Sequence, residues 1–94
     1  MAYVFEADPR KAEINRVKHG VTFAEAQTAF ADPNSLPLRD ERHSISEDRY
    51  TLTGYSAKNR LLTVCYTEPG SSVIRIISAW KATTVERRRY EGVY

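Results

Sequence analysis

The chain has 94 residues, a length that fits one domain spanning 1–94, with a real but small core, since a chain of this size hides roughly 65% of its unfolded surface. Its 28% charged and 41% hydrophobic residues exclude a disordered chain, and no apolar run approaches the roughly 18 residues of a membrane span. The net charge of +2 hides an asymmetry: residues 1–48 carry 6 Lys and Arg against 9 Asp and Glu, while residues 49–94 carry 8 against 3. The basic second half points to an anionic partner, with RNA as one candidate, or to a solvated basic surface. The N-terminal run Met1-Ala2-Tyr3-Val4-Phe5-Glu6 has no basic leader ahead of an apolar stretch, so the expected compartment is cytoplasmic.

Tyr3 to Phe5 reads as a short strand. Asp8-Pro9 predicts a helix start, because Asp caps the free amides and Pro is tolerated at the first helical position. The helix runs to about Lys18, with Gly20 as its left-handed terminator, and Ile14, Val17 and Val21 mark its expected buried side. Thr22-Phe23-Ala24-Glu25 reads as a capping box opening a second helix, whose apolar stripe is Phe23, Ala26 and Phe30 and which ends at Asp32-Pro33.

Residues 32–48 are polar and hold two prolines, which predicts a loop with one edge strand near Leu36 to Leu38. Strands are expected at about 49–55, 61–67 and 73–79, joined by short turns at 56–60 and 68–72 that imply antiparallel neighbours. Cys65, the single cysteine, lies in an apolar run and reads as a small buried hydrophobe. Thr83 with Glu86 is a second capping box, opening a C-terminal helix through about Glu91. The expected class is α+β: a short N-terminal strand, two helices, an antiparallel sheet of three to four strands, and a last helix.

Several runs carry a family likeness. They are Phe5-Glu6-Ala7-Asp8-Pro9 with Lys11 and Asn15, Lys18-His19-Gly20-Val21 before Phe23, Asp32-Pro33, Arg42-His43-Ser44, Glu47, Arg49 and Gly54. Arg75-Ile76-Ile77-Ser78-Ala79, Lys81-Ala82-Thr83, Glu86-Arg87-Arg88 and Tyr90 complete the set. Their combination resembles the BrnT family of type II toxins over nearly the whole chain. The resemblance implies a RelE-like fold, mRNA cleavage, and neutralisation by a BrnA-like ribbon-helix-helix antitoxin. It further implies a heterotetramer with that antitoxin, and operator DNA bound only through it. The chain departs from the family's usual pattern at Ala7, where a Trp is usual, and at Trp80, where a basic residue is usual.

A metal-free ribonuclease directs the ribose 2′-hydroxyl against the adjacent phosphate. It needs a proton acceptor, a proton for the leaving oxygen, and fixed cations on the developing charge. The two histidines lie 24 positions apart and there is no cysteine pair, so neither a metal nor another cofactor is expected. The expected catalytic residues are His19, Arg49, Arg75 and Lys81. His19, with a usual pKa of roughly 6.5, suits proton transfer, or else caps its helix. Arg75 alternates with Ile74 and Ile76 and can hold a phosphate through its fork, or pair with a carboxylate such as Glu47 or Glu86; Arg49 in its own strand reads the same way. Lys81 can reach a phosphate near the last helix, or be an exposed loop lysine.

The expected RNA-binding residues are Lys11, Lys18, Trp80, Arg87 and Tyr90. Lys11, Asn15 and Lys18 form one polar stripe, either a nucleic-acid face or the wet side of the helix. Arg87, Arg88 and Arg89 are consecutive and so spread around their helix. Trp80 and Tyr90 can stack on bases or pack against the core. His43 can face a substrate or antitoxin, or be ordinary loop structure. Two readings compete with the ribonuclease toxin. One is a ParE-like inhibitor of a protein target. The other is a degenerate relative that binds its antitoxin and helps regulate transcription.

Overall fold

The computed structural model of the chain describes residues 3–44 and 47–92. Its elements are β1 (Val4–Glu6), α1 (Pro9–His19), α2 (Phe23–Thr28), β2 (Leu36–Arg39), β3 (Arg49–Tyr55), β4 (Leu61–Gly70), β5 (Val73–Lys81) and α3 (Thr84–Glu91). The strands form one sheet in the order β1-β5-β4-β3-β2. β2 to β5 are an antiparallel meander, while β1 joins β5 in parallel, so the sheet has five strands and is mixed. Among the described residues no helix is long and apolar enough to cross a membrane.

Local chemistry explains the element ends. Asp8 caps α1 by accepting from the Arg10 amide, and Gly20 closes it at φ 69°. Both halves of the capping box at Thr83 and Glu86 form. The box expected at Thr22 forms only by half. Thr22 accepts from the Glu25 amide, but the Glu25 carboxylate turns inward to Arg60 and Ser56. β4 and β5 run further than expected, to Gly70 and Lys81. The ladder between them shifts register between Thr67 and Gly70, which spares Pro69 from donating an amide it lacks.

The core is a single layer on one sheet face. Val21, Phe23, Ala26 and Ala29 pack on Leu52, Leu62, Val64, Tyr66, Ile74, Ile76 and Ala79, with Phe5, Phe30 and Tyr50 at the margin. At Gly54 a Cβ would lie 2.9 Å from the Ala29 carbonyl, so the glycine lets the chain after α2 press against β3.

The expected buried side of α1 is corrected. Val21 is buried, but Ile14 and Val17 are 63% and 71% exposed, and Asn15 points inward instead. The reason is the short β1, which pairs with β5 only over Val73 to Arg75 and leaves the strand edge beyond it without a strand partner. The Asn15 carboxamide takes that place. Its Nδ2 donates to the carbonyls of Ala79 and Val21, each at 2.9 Å, and its Oδ1 accepts from the Ala79 amide at 3.0 Å. Asn15→Ala should therefore leave three buried backbone groups unpaired and cost about 3 kcal/mol. In a thermal melt that amounts to a loss of more than about 10 °C. A variant melting with the parent would show that the edge is satisfied some other way.

Candidate active site on the second sheet face

Residues directly opposite in paired strands share a face. Arg49 of β3 pairs with Thr67 of β4, Thr67 pairs with Arg75 of β5, and Arg75 pairs with Glu6 of β1. One row across the sheet therefore reads Arg49, Thr67, Arg75, Glu6, on the face opposite the core. The next row is Thr51, Cys65 and Ser78, and beyond it lie Thr53, Thr63 and Trp80.

Glu6 anchors Arg75, accepting from Nε at 2.8 Å and pairing with a terminal nitrogen at 2.7 Å. The carboxylate partner open to Arg75 is thus Glu6. Arg49 is held through its backbone. Its amide donates to Ser44 Oγ at 3.0 Å, and its carbonyl accepts from the Asp40 amide at 2.8 Å. Its Nε lies 3.8 Å from a Glu47 carboxylate oxygen, beyond hydrogen-bond reach. Among the described residues, Arg49 Nε and Thr67 Oγ1 are buried side-chain atoms with no hydrogen-bond partner.

Cys65 is a free, buried thiol, as its apolar run suggested. Burial pushes its pKa up, while the nearby Arg49 charge pulls it down and Asp40 pushes it up. Arg49 and Asp40 are thus both within electrostatic reach of the thiol. Asp40 also accepts from the loop before β3: its Oδ2 lies 2.9 Å from Nδ1 of His43, whose side chain is 64% exposed.

The other expected site residues lie elsewhere, and a bulge in β5 is the reason. Tyr66 pairs with Ile76 and Cys65 with Ser78, so Ile77 is an extra residue and the alternation reverses after it. Ser78 and Trp80 join the face of Arg75, whereas Lys81 pairs with the core residue Leu62. Lys81 lines a cleft at the sheet end with Tyr55, Asn59, Arg60 and Arg87. His19 sits at the end of α1, its ring 6.3 Å from that of Trp80. At about 3.3 Å per strand residue, Trp80 and Lys81 lie about 15–20 Å along β5 from Arg75. The structure thus brings Arg49 and Arg75 together in one row and sets Lys81 apart at the sheet end, with His19 in the α1 cleft beside Ile77 and Ser78.

Lys11, Lys18 and His19 line a shallow cleft beside Ile77 and Ser78. The stripe they share with Asn15 is thus the side by which α1 meets the sheet edge, not a wholly wet side. The Trp80 ring is half-buried, and its Nε1 donates to Glu86 at 3.1 Å, which ties β5 to α3. Tyr90 has the anchoring arrangement. Its hydroxyl donates to Asp32 at 2.7 Å, its ring meets Tyr55 edge-on, and burial with the Asp32 contact pushes its pKa up to about 12. Sequence reasoning missed Thr67 and the Asp40–His43 pair. Thr67 carries no signal until strand register is known, and His43 was legible as a loop residue able to face substrate or antitoxin, but its Asp40 partner was not.

A family model described as the ribonuclease toxin BrnT of type II toxin–antitoxin systems matches residues 8–86. The chain belongs to the BrnT family. The matched stretch includes Asp40, His43, Arg49, Thr67 and Arg75, and leaves out Glu6. The crystal structure of the Brucella abortus ribonuclease toxin BrnT is similar in fold, with a TM-score of 0.63 and 21% identity over 89% of this chain and 99% of that one. No curated protein sequence matches. In this BrnT-family chain the five-stranded mixed sheet sets two arginines and a threonine in one row of a single face, with the Asp40–His43 pair on the turn bonded to the Arg49 backbone.

Proposed function

We propose that this chain is the endoribonuclease toxin of its system, cleaving mRNA without a divalent metal and arresting growth until an antitoxin covers it. The observation that carries this reading is the Arg49–Thr67–Arg75 row. A guanidinium stands on either side of a hydroxyl, and Arg49 Nε and Thr67 Oγ1 lack partners among the described residues. Buried polar atoms are normally hydrogen-bonded, so an orphan hydroxyl between two arginines, beside an orphan guanidinium nitrogen, suits an anionic oxygen. A scissile phosphate supplies several such oxygens. Arg75 is held at its other edge by Glu6, so its orientation is set before substrate arrives. Fixed donors at a developing dianion are commonly the largest catalytic contribution.

RNA on either side of that phosphate meets further cations. Lys11 and Lys18 flank the α1 cleft, and Lys81 and Arg87 the cleft at the sheet end. These contacts fix register on the backbone and make binding salt-dependent. The partner in this reading is a BrnA-like ribbon-helix-helix antitoxin in a heterotetramer, and the architecture is RelE-like.

The test is purified protein on RNA in excess chelator, with the product ends analysed. The expected products carry 2′,3′-cyclic phosphate and 5′-hydroxyl ends, because the nucleophile is the adjacent 2′-oxygen. Activity abolished by chelator and restored by magnesium would contradict a chemistry run on protein cations.

A further inference from the structure

The Arg49–Thr67–Arg75 row presents two cations and a hydroxyl but holds no group suited to moving a proton near neutrality. Cys65 is buried with a raised pKa, and Glu6 is committed to Arg75. His19 belongs to the α1 cleft past the β5 bulge, against Ile77, Ser78 and Trp80, and has no carboxylate partner among its described contacts. The turn ahead of β3 supplies the missing group. Arg39 pairs with Tyr50, and the Asp40 amide continues that ladder by donating to the Arg49 carbonyl. Asp40 thus stands opposite Arg49 and shares its face.

Ser44 locks the turn in place. Its hydroxyl donates to the Asp40 carbonyl at 2.5 Å and accepts from the Arg49 amide at 3.0 Å. Within that turn the Asp40 carboxylate takes the Nδ1 side of the His43 ring at 2.9 Å. An ionised carboxylate at Nδ1 keeps the proton there, which leaves the Nε2 lone pair free and pointed away from Asp40. The ring is largely exposed, so Nε2 is accessible to a bound strand. The ring contacts Asp40, and Glu41 and Arg42 are the other charged residues of its turn.

We infer that His43, oriented by Asp40, is the general base that takes the 2′-hydroxyl proton from RNA held on the Arg49–Thr67–Arg75 row. The inference rests on the ribonuclease reading of that row. In the step, the 2′-oxygen forms a bond to phosphorus as Nε2 accepts its proton. The bond from phosphorus to the 5′-oxygen breaks with its electron pair on that oxygen, which takes a proton from water. The imidazolium then returns its proton to solvent, so no net proton is consumed. Asp40 acts through His43 and is a positioning residue.

The experiment compares the unmodified chain with His43→Ala, His43→Gln, Glu47→Gln and Arg75→Ala under single-turnover conditions on a short RNA. Affinity is measured separately on the same oligonucleotide with a 2′-deoxy substitution at the cleavage site. His43→Ala is expected to slow cleavage about 10²–10⁴-fold, as loss of an acid–base group does. Its affinity and melting temperature should stay at the parent's values, and added imidazole should restore part of the rate. His43→Gln should be as slow as His43→Ala and as stable as the parent. A His43→Ala rate close to the parent's, with Arg75→Ala inactive, would overturn the inference and leave the ribonuclease reading standing. So would a slow His43→Ala that imidazole does not restore, or a loss confined to Glu47→Gln, which would make Glu47 the base. RNA left intact by the unmodified chain would sink the ribonuclease reading and the inference together.

Discussion

Arg75→Ala is expected to lower RNA cleavage by about 10²–10³-fold, as removal of one fixed donor at a developing oxyanion does. The fold should survive the change. The Arg75 side chain is 50% exposed, and its partner Glu6 is exposed to a similar degree, so the lost ion pair is a surface one. Such pairs contribute about 0–1 kcal/mol, and the freed carboxylate is resolvated. Ile74 and Ile76 on either side keep their core contacts. Arg75→Lys refines the test. It keeps the charge but loses the planar fork, so it should recover RNA binding better than it recovers rate. The measurement pairs single-turnover cleavage with a thermal melt. Full-speed cleavage by Arg75→Ala would place the chemistry elsewhere, and an unfolded variant would make the arginine structural.

Arg60→Ala is expected to have the largest effect on stability. The Glu25 side chain is only 2% exposed. Arg60 reaches it with Nε at 2.9 Å and a terminal nitrogen, Ser56 Oγ donates to it at 2.7 Å, and Arg60 also donates to the Gly20 carbonyl. The hydrogen bonds from Arg60, helped by Ser56, hold the Glu25 pKa below its ordinary value against the opposing effect of burial. Truncating Arg60 leaves a buried charge without its partner, which typically costs about 3–5 kcal/mol. For a domain of this size that lowers Tm by more than about 12 °C.

The pH dependence has a definite sign. In the parent, the folded pKa of Glu25 is depressed. The stabilisation from this group is therefore present above the ordinary carboxylate pKa and lost as pH falls through the folded value. Without Arg60, burial acts unopposed by that cation and raises the folded pKa, so the contribution reverses and stability falls as pH rises. Melts of parent and variant across the acid range should thus converge toward low pH. Parallel curves would show that Glu25 is not the group responsible.

Trp80 shows how a departure from the family's usual residue reads once placed. The ring packs beside His19 and gives its single donor to Glu86, which also accepts from Thr63 and from the Thr83 amide. One carboxylate oxygen thus joins β4, β5 and the start of α3. Residue 80 serves that junction, about 15–20 Å along the strand from Arg75.

What the sequence determined by itself is what short-range chemistry controls. Asp8-Pro9, Gly20 and the Thr83–Glu86 box mark helix ends because each cap bonds within a few residues. The strands at 49–55 and 61–67, the apolar stripe of Phe23, Ala26 and Phe30, and the separation of Arg75 from Ile74 and Ile76 follow from periodicity alone. The family likeness was also legible, because it lies in runs of neighbouring residues.

The tertiary structure alone decided which of these pieces meet. Ile14 and Val17 read as buried until the shortness of β1 made Asn15 the partner of the β5 edge, 64 residues away. Glu25 read as half of a local capping box until Arg60, 35 residues on, claimed its carboxylate. Arg75 and Lys81 read as members of one catalytic set, Lys81 beyond the strand end, until β5 ran on to Lys81 and the bulge at Ile77 turned the two to opposite faces. Thr67 and the Asp40–His43 pair gained meaning only from strand register. Register is set by how two distant segments bury their apolar faces together, and a shift of one residue exchanges every side chain between faces.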